Sequence, residues 1–330
     1  MNRLLKFKIE LEKSGADAAV ISSAVNQRYM TGFDYTDGYV LITKEKSYVL
    51  ADFRYIEAAR AKVDANQYEV VMPEGSMLAC ISAALDENEC KTVLFEDVTL
   101  SVADLERMKK MLVGKDLVPG ASKIADGLRL YKDEEEIEKM KKAQAITDMG
   151  FAHMMKVLTP DMTEIEAALE LEFFMRRQGS EGVAFETIAV SGSASSLPHG
   201  VPRNVKLEKG FFTMDFGARF DGYCSDMTRT VVIGKADADM KKLYNTVLNA
   251  QTAALDFIKE GINCKDADTV ARDIINAAGY EGRFGHSLGH GVGMYIHESP
   301  RLSQGVAPDY KLQRGHIVTV EPGIYIEGLY

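Results

Sequence analysis

FFTMDFGARFDGYCSDMTRTVVIG, residues 211–234, sets two apolar runs on either side of Asp221-Gly222. Asp-Gly between apolar runs signals a tight hairpin, because its backbone angles match the twist of paired strands. With a two-residue turn, Phe220 pairs with Tyr223 and residue 217 faces residue 226. Strand side chains alternate, so 215 and 217 point the same way. Asp215 and Asp226 then share one face of the hairpin, offset diagonally by about 7–8 Å. Phe212, Met214 and Phe216 occupy the other face and are expected in the core. Asp215 is thus a charged group inside an apolar strand. Left unpaired there, a carboxylate costs several kcal/mol, so it takes a cation, an arginine or a proton. Within this stretch Arg219 and Arg229 are the alternatives to a metal ion, and both readings stay open.

Two further stretches carry the same tension. GRFGHSLGHGVGMYIHESP, residues 282–300, holds His286, His290 and His297, three of the six histidines, among glycines that let backbone and ligands approach closely. A lone histidine is usually a satisfied structural residue, but the clustering raises the case for a site. HIVTVEPGIYIE, residues 316–327, places Glu321 among strand formers just before Pro322, which ends ladder pairing. Residues 317–326 are expected as a strand, with Glu321 either in solvent at an edge or paired with a cation. Asp, Asp, His and Glu form an oxygen-rich set with one imidazole, which suits Mn²⁺, Co²⁺, Zn²⁺ or Fe²⁺. Calcium would not ordinarily recruit histidine.

The order of these motifs, D-x₁₀-D, then two histidines seven residues apart, then E-P-G, resembles the pita-bread metallopeptidases. These include Xaa-Pro aminopeptidases, prolidases and methionine aminopeptidases. The segments SDMTRT, GHGVGMYIHE and VEPGIY carry the likeness. It covers residues 126–330, and residues 1–125 resemble the amino-terminal domain of the Xaa-Pro branch. The resemblance implies an α/β creatinase/prolidase-like domain over 1–125 and an α+β pita-bread catalytic domain over 126–330. It implies two divalent ions, manganese first and cobalt or zinc next, held by Asp215, Asp226, His290 and Glu321, with Asp226 bridging. His199, in SSLPHG, and His297 are implied as catalytic, with Glu321 or a further family glutamate shuttling a proton. His286 and His290 are implied at the substrate. The activity implied is hydrolysis of the Xaa-Pro bond at peptide N-termini by an Xaa-Pro aminopeptidase. The alternatives are an Xaa-Pro dipeptidase and a metal-free pita-bread protein that binds peptides. The family's fifth ligand, a glutamate beyond the E-P-G strand, has no counterpart before Tyr330. The polypeptide is therefore expected to continue, and the chain as given to hold metal weakly and to lack activity.

The rest of the chain fits this frame. Residues 4–13, 53–63, 77–88 and 102–113 read as helices, and 18–21, 38–43, 47–51 and 92–95 as strands. In the second half, Asp133 with Glu136 and Thr163 with Glu166 read as capping boxes that start helices. Residues 240–260 and 265–278 read as helices closed by glycines. A net charge of −10 argues against a general nucleic-acid binder. No run reaches the ~18 apolar residues of a membrane span. Charges interrupt the N-terminal apolar runs, so no secretory signal is expected. Four scattered cysteines fit reduced thiols in a reducing compartment. The expectation is a cytoplasmic homodimer whose partners are proline-containing peptides, with no nucleic acid and no membrane.

Overall fold

The computed structural model describes residues 2–330. They form two compact units, Met1–Arg129 and Leu130–Tyr330. The expected boundary at 125/126 falls inside the helix Ala121–Arg129, which packs with the first unit.

The first unit runs α1 (Arg3–Ser14), β1 (Ala18–Ile21), α2 (Ala24–Thr31), β2 (Gly38–Thr43), β3 (Ser47–Ala51), α3 (Ile56–Lys62), β4 (Glu69–Val71), α4 (Met77–Glu87), β5 (Thr92–Phe95), α5 (Val102–Met111), β6 (Asp116–Pro119) and α6 (Ala121–Arg129). One six-stranded sheet has the order β4-β3-β2-β1-β5-β6. The β2–β3 hairpin turns at Lys44–Lys46, as its charged residues predict. Side chains cap the first turns: Asn2 accepts from the amide of Leu5, and Ser101 from that of Asp104. Leu41, Leu50, Ile81, Leu85 and Val93 fill the core between sheet and helices.

The second unit continues with α7 (Glu134–Val157), α8 (Glu164–Arg177), β7 (Gly182–Val183), β8 (Ile188–Ser191), β9 (Gly210–Phe216), β10 (Ala218–Phe220), β11 (Tyr223–Cys224), β12 (Met227–Ile233), α9 (Ala238–Phe257), α10 (Cys264–Ala277), β13 (Gly289–Gly291) and β14 (Glu298–Leu302). Both expected capping boxes form, at Asp133–Glu136 and Thr163–Glu166. A long helix followed by a 14-residue helix occurs twice, α7–α8 and α9–α10. The two pairs cover opposite faces of the antiparallel sheet β12-β9-β8. Phe212, Met214 and Phe216 pack with Ile146 and Leu171 of the first pair. Phe211, one residue out of phase, packs with Leu243 and Ile275 of the second. Thr213 and Asp215 therefore lie on the face that the second pair covers.

Residues 317–326 do not form the expected strand. They run beside β13 and touch the ladder through a single bridge, Gly291 with Val318. Amides 292, 319 and 321 pair with carbonyls 317, 290 and 288. The amide of His290 donates instead to the side-chain Oγ1 of Thr319, at 3.0 Å. A side chain has taken the place of one rung, and Pro322 has no N–H for the next.

Candidate metal centre

The hairpin has the register expected. Phe220 pairs with Tyr223, Arg219 with Cys224, Phe216 with Met227 and Asp215 with Thr228. Residue 217 is glycine because a Cβ there would overlap the backbone carbonyl of Ser225. That close approach brings Asp226 beside β9. Ser225 is pinned in turn, its amide donating to the carbonyl of Ala218 at 2.9 Å.

Asp215 and Asp226 are both largely withdrawn from water. Burial, opposed by Thr228, pushes the Asp215 carboxyl up to about 6. Burial, reinforced by the charges of Asp215 and Glu321, pushes Asp226 up to about 7. Asp215 Oδ1 is buried with no hydrogen-bond partner. Among the described residues no arginine pairs with either carboxylate. Arg229 turns to the carbonyl of Thr228 and the ring of Phe151.

His290 and Glu321 meet Asp226 from the other side. His290 Nδ1 lies 3.0 Å from the carbonyl of Gly291. A carbonyl only accepts, so Nδ1 carries a proton; the neutral ring turns an Nε2 lone pair to the cluster, and the charged ring donates its Nε2–H to Glu321. That Nε2 faces Glu321 Oε1 at 3.1 Å and Asp226 Oδ2 at 3.5 Å. Burial works against a charged His290, but the Glu321 hydrogen bond and the two carboxylates outweigh it and raise its pKa. Glu321 is lowered: burial opposes this, while hydrogen bonds from His290 and Thr319 prevail. Thr319 Oγ1 donates to Glu321 Oε1 at 2.7 Å while accepting the His290 amide. One hydroxyl thus orients two members of the cluster.

The ligand atoms of Asp226, His290 and Glu321 all lie within 4.8 Å of one another. Three acceptors converge, and the oxygen of a fourth group, Asp215, has no donor. Such an arrangement needs cations or protons between its members. The residues present fit a divalent metal centre of mixed oxygen and imidazole character.

The remaining histidines surround this cluster unequally. The His297 ring stands edge-on to His290, centroids 4.5 Å apart. Partial burial, together with the charges of His290 and Arg301, lowers its pKa, so it is neutral at neutral pH. His199 is exposed on a turn, close enough for its charge to act on Asp215 and His297. His286 is built into the wall. Its Nδ1 meets the Ser287 carbonyl at 2.8 Å and its Nε2 meets the Tyr325 hydroxyl at 3.1 Å. With both ring nitrogens engaged, His286 offers a substrate no free polar atom.

Several supporting residues were not visible as such in the sequence. Thr319 is one. Tyr325 is another: its ring folds over Gly323, where a Cβ would collide with it. Asp268 is a third. Fully buried on α10, it accepts from Arg272, Gln304 and the amide of Leu288, and Arg272 holds the carbonyls of Phe284 and His286. Its signal, Asp and Arg four apart on a helix, is shared with countless solvated pairs.

Residues 138–330 match the model of metallopeptidase family M24, and residues 3–131 match that of the creatinase/prolidase N-terminal domain. An Xaa-Pro dipeptidase of Pyrococcus horikoshii is 35% identical over 99% of this chain and 91% of its own length. The structure of an Xaa-Pro dipeptidase from Bacillus anthracis superposes with a TM-score of 0.94 at 38% identity, covering 99% of this chain and 90% of its own. That of an X-Pro aminopeptidase from Thermotoga maritima gives 0.90 at 35% identity, covering 97% and 92%.

Proposed function

Because the chain belongs to metallopeptidase family M24, with a creatinase/prolidase-type first domain and a pita-bread second domain, we propose that it is an Xaa-Pro dipeptidase. The observation that carries the reading is the convergence of Asp226, His290 and Glu321 beside the unpartnered oxygen of Asp215. Of the two solved structures described above, the dipeptidase superposes better, at TM-score 0.94 against 0.90, so the aminopeptidase reading becomes the alternative. The family implies divalent metal. In this proposal Asp215, Asp226, His290 and Glu321 would hold two divalent ions, manganese first. The ions supply Lewis acidity that lowers the pKa of a water and polarises a carbonyl.

The chain's own groups do the rest. Neutral His297, with His199 opposite, donates hydrogen bonds to the carbonyl oxygen as charge develops on it. Glu321, ionised because its pKa is held low, takes a proton from the water that adds to the carbonyl and passes it to the leaving proline nitrogen. A proline imide has no N–H to recognise, so selection falls on ring shape. The acidic surroundings favour the substrate's free ammonium, which suits an exopeptidase. The proposal extends to a homodimer in the cytoplasm. It fits four free cysteines, and no helix among the described residues is long and apolar enough to cross a membrane.

The test, run on a polypeptide that carries the family's fifth-ligand glutamate, compares an Xaa-Pro dipeptide with the same sequence extended by one residue, with manganese or cobalt present. We expect the dipeptide to have the higher kcat/KM by at least about tenfold, or about 1.4 kcal/mol of differential transition-state binding. Preference for the tripeptide would establish the aminopeptidase alternative. Hydrolysis of neither, by protein that has bound metal, would remove the peptidase reading.

A further inference from the structure

Among the site histidines, His286 and His290 are held by hydrogen bonds and His297 by its contact with the His290 ring; His199 has neither. It is exposed, and among the described residues its ring has no hydrogen-bond partner. It sits within residues 192–202, which leave β8 after Ser191 and rejoin the body at Arg203. Local turns shape the segment, with the amide of Leu197 on the carbonyl of Ala194 and that of Gly200 on Leu197. Residues 192–196 form a largely buried 3-10 helix beside β9, and the exposed residues 197–199 that follow are held between it and Arg203.

Both ends are tied to one carboxylate. Glu164, the first residue of α8, is fully buried. Its Oε1 accepts from the amide of Ser191 at 2.7 Å, the Ser191 hydroxyl at 2.8 Å and Arg203 Nη2 at 2.6 Å. Its Oε2 accepts from the amide of Arg203 at 2.9 Å and from Arg203 Nε at 2.8 Å. Arg203 Nη2 also reaches the carbonyl of Ser191 at 3.2 Å, closing the ring. A forked arginine–carboxylate pair of this kind is stiff as well as strong. The start of the helix does not account for it. Thr163 and Glu166 already satisfy the first turn through their capping box.

We infer that Glu164 is a positioning residue for His199. By gathering Ser191 and Arg203 onto one buried carboxylate, it sets where the imidazole stands relative to Asp215 and His297. The inference rests on the peptidase reading insofar as His199 meets the substrate. The clamp itself does not.

Two measurements test it. The first is hydrogen–deuterium exchange in a peptide spanning residues 189–205, in the full chain and its Glu164→Gln variant. We expect exchange there to accelerate at least about tenfold while the peptide over β12 is unchanged. Unaltered exchange overturns the clamp, whatever the enzyme does. The second is a double-mutant cycle on dipeptide turnover with His199→Ala. Glu164→Gln is expected to lower kcat at least about tenfold in the native background, with KM within about twofold, and to do nothing further once His199 is gone. Equal losses in both backgrounds overturn the positioning role. Should Glu164→Gln fold poorly, Arg203→Lys keeps the charge but breaks the fork, and must give the same pattern in smaller measure. An otherwise native polypeptide that carries the family's fifth-ligand glutamate, binds metal and hydrolyses nothing defeats the peptidase reading instead, and the exchange result then decides the clamp alone.

Discussion

Asp226 and Asp215 state the problem that this site solves. In the metal-free protein their carboxyls titrate near 7 and 6 instead of 3.8. At these two carboxyls the folded chain therefore binds more protons than the unfolded chain between about pH 4 and about pH 7, outweighing the opposite effect of His297 and His316. A raised folded pKa contributes stability that is complete below the unfolded value and lost as pH rises through the folded one. The melting temperature of chelator-treated protein should accordingly fall as pH rises from about 5 to about 7.5. Excess manganese should cancel or reverse that fall, since metal binds the deprotonated acids. Thermal melts across pH, with and without metal, check this; a metal-free profile rising through that window would contradict it. The two aspartates were legible because strand alternation leaves a charge nowhere else to go. Which ion or arginine answered them was not, since Arg219 and Arg229 lie equally near in sequence. His286 shows the converse: motif spacing marks it, but its engagement by Tyr325, 39 residues away, is a product of folding.

At the scale of elements, the site is three extended segments held at unequal distances. The β9–β12 hairpin is regular and its register followed from Asp221-Gly222. Residues 316–327 looked like a strand and are not one, because Thr319 Oγ1 replaces a backbone rung and also orients Glu321. Composition gives no warning of that, for threonine is a good strand former. Thr319→Val keeps the shape and removes both hydrogen bonds. It should cost about 1–3 kcal/mol in stability, counting the buried amide left without an acceptor. It should also weaken metal binding by about 10–100-fold, as loss of an outer-shell orienting group does. Urea unfolding and metal titration read the two effects separately. An unchanged metal affinity would show that His290 and Glu321 hold their places without it. The ties at Glu164 and Asp268 were equally hidden, because each joins residues far apart in the chain through a single buried side chain.

Over the whole molecule, the second unit sandwiches one antiparallel sheet between two similar helix pairs. The face bearing Phe212 and Phe216 becomes core, and the face bearing Asp215 becomes the site. Helix caps, the sheet's alternation and the two-unit division all follow from local pattern, which is why so much of the fold could be anticipated. The repeat of helix pairs could not, since α7 and α9 differ in length, 24 and 20 residues, and only the 14-residue α8 and α10 match. What the arrangement amounts to is a converging set of acceptors that a cation would reconcile. Calorimetric titration of the chelator-treated chain with manganese, beside its Asp226→Asn variant, addresses that most directly. The native chain should show saturable binding with proton release, and the variant should lose at least about a hundredfold in affinity while remaining folded. A folded native chain with no saturable binding, or a variant that binds as well as the native, would contradict the account.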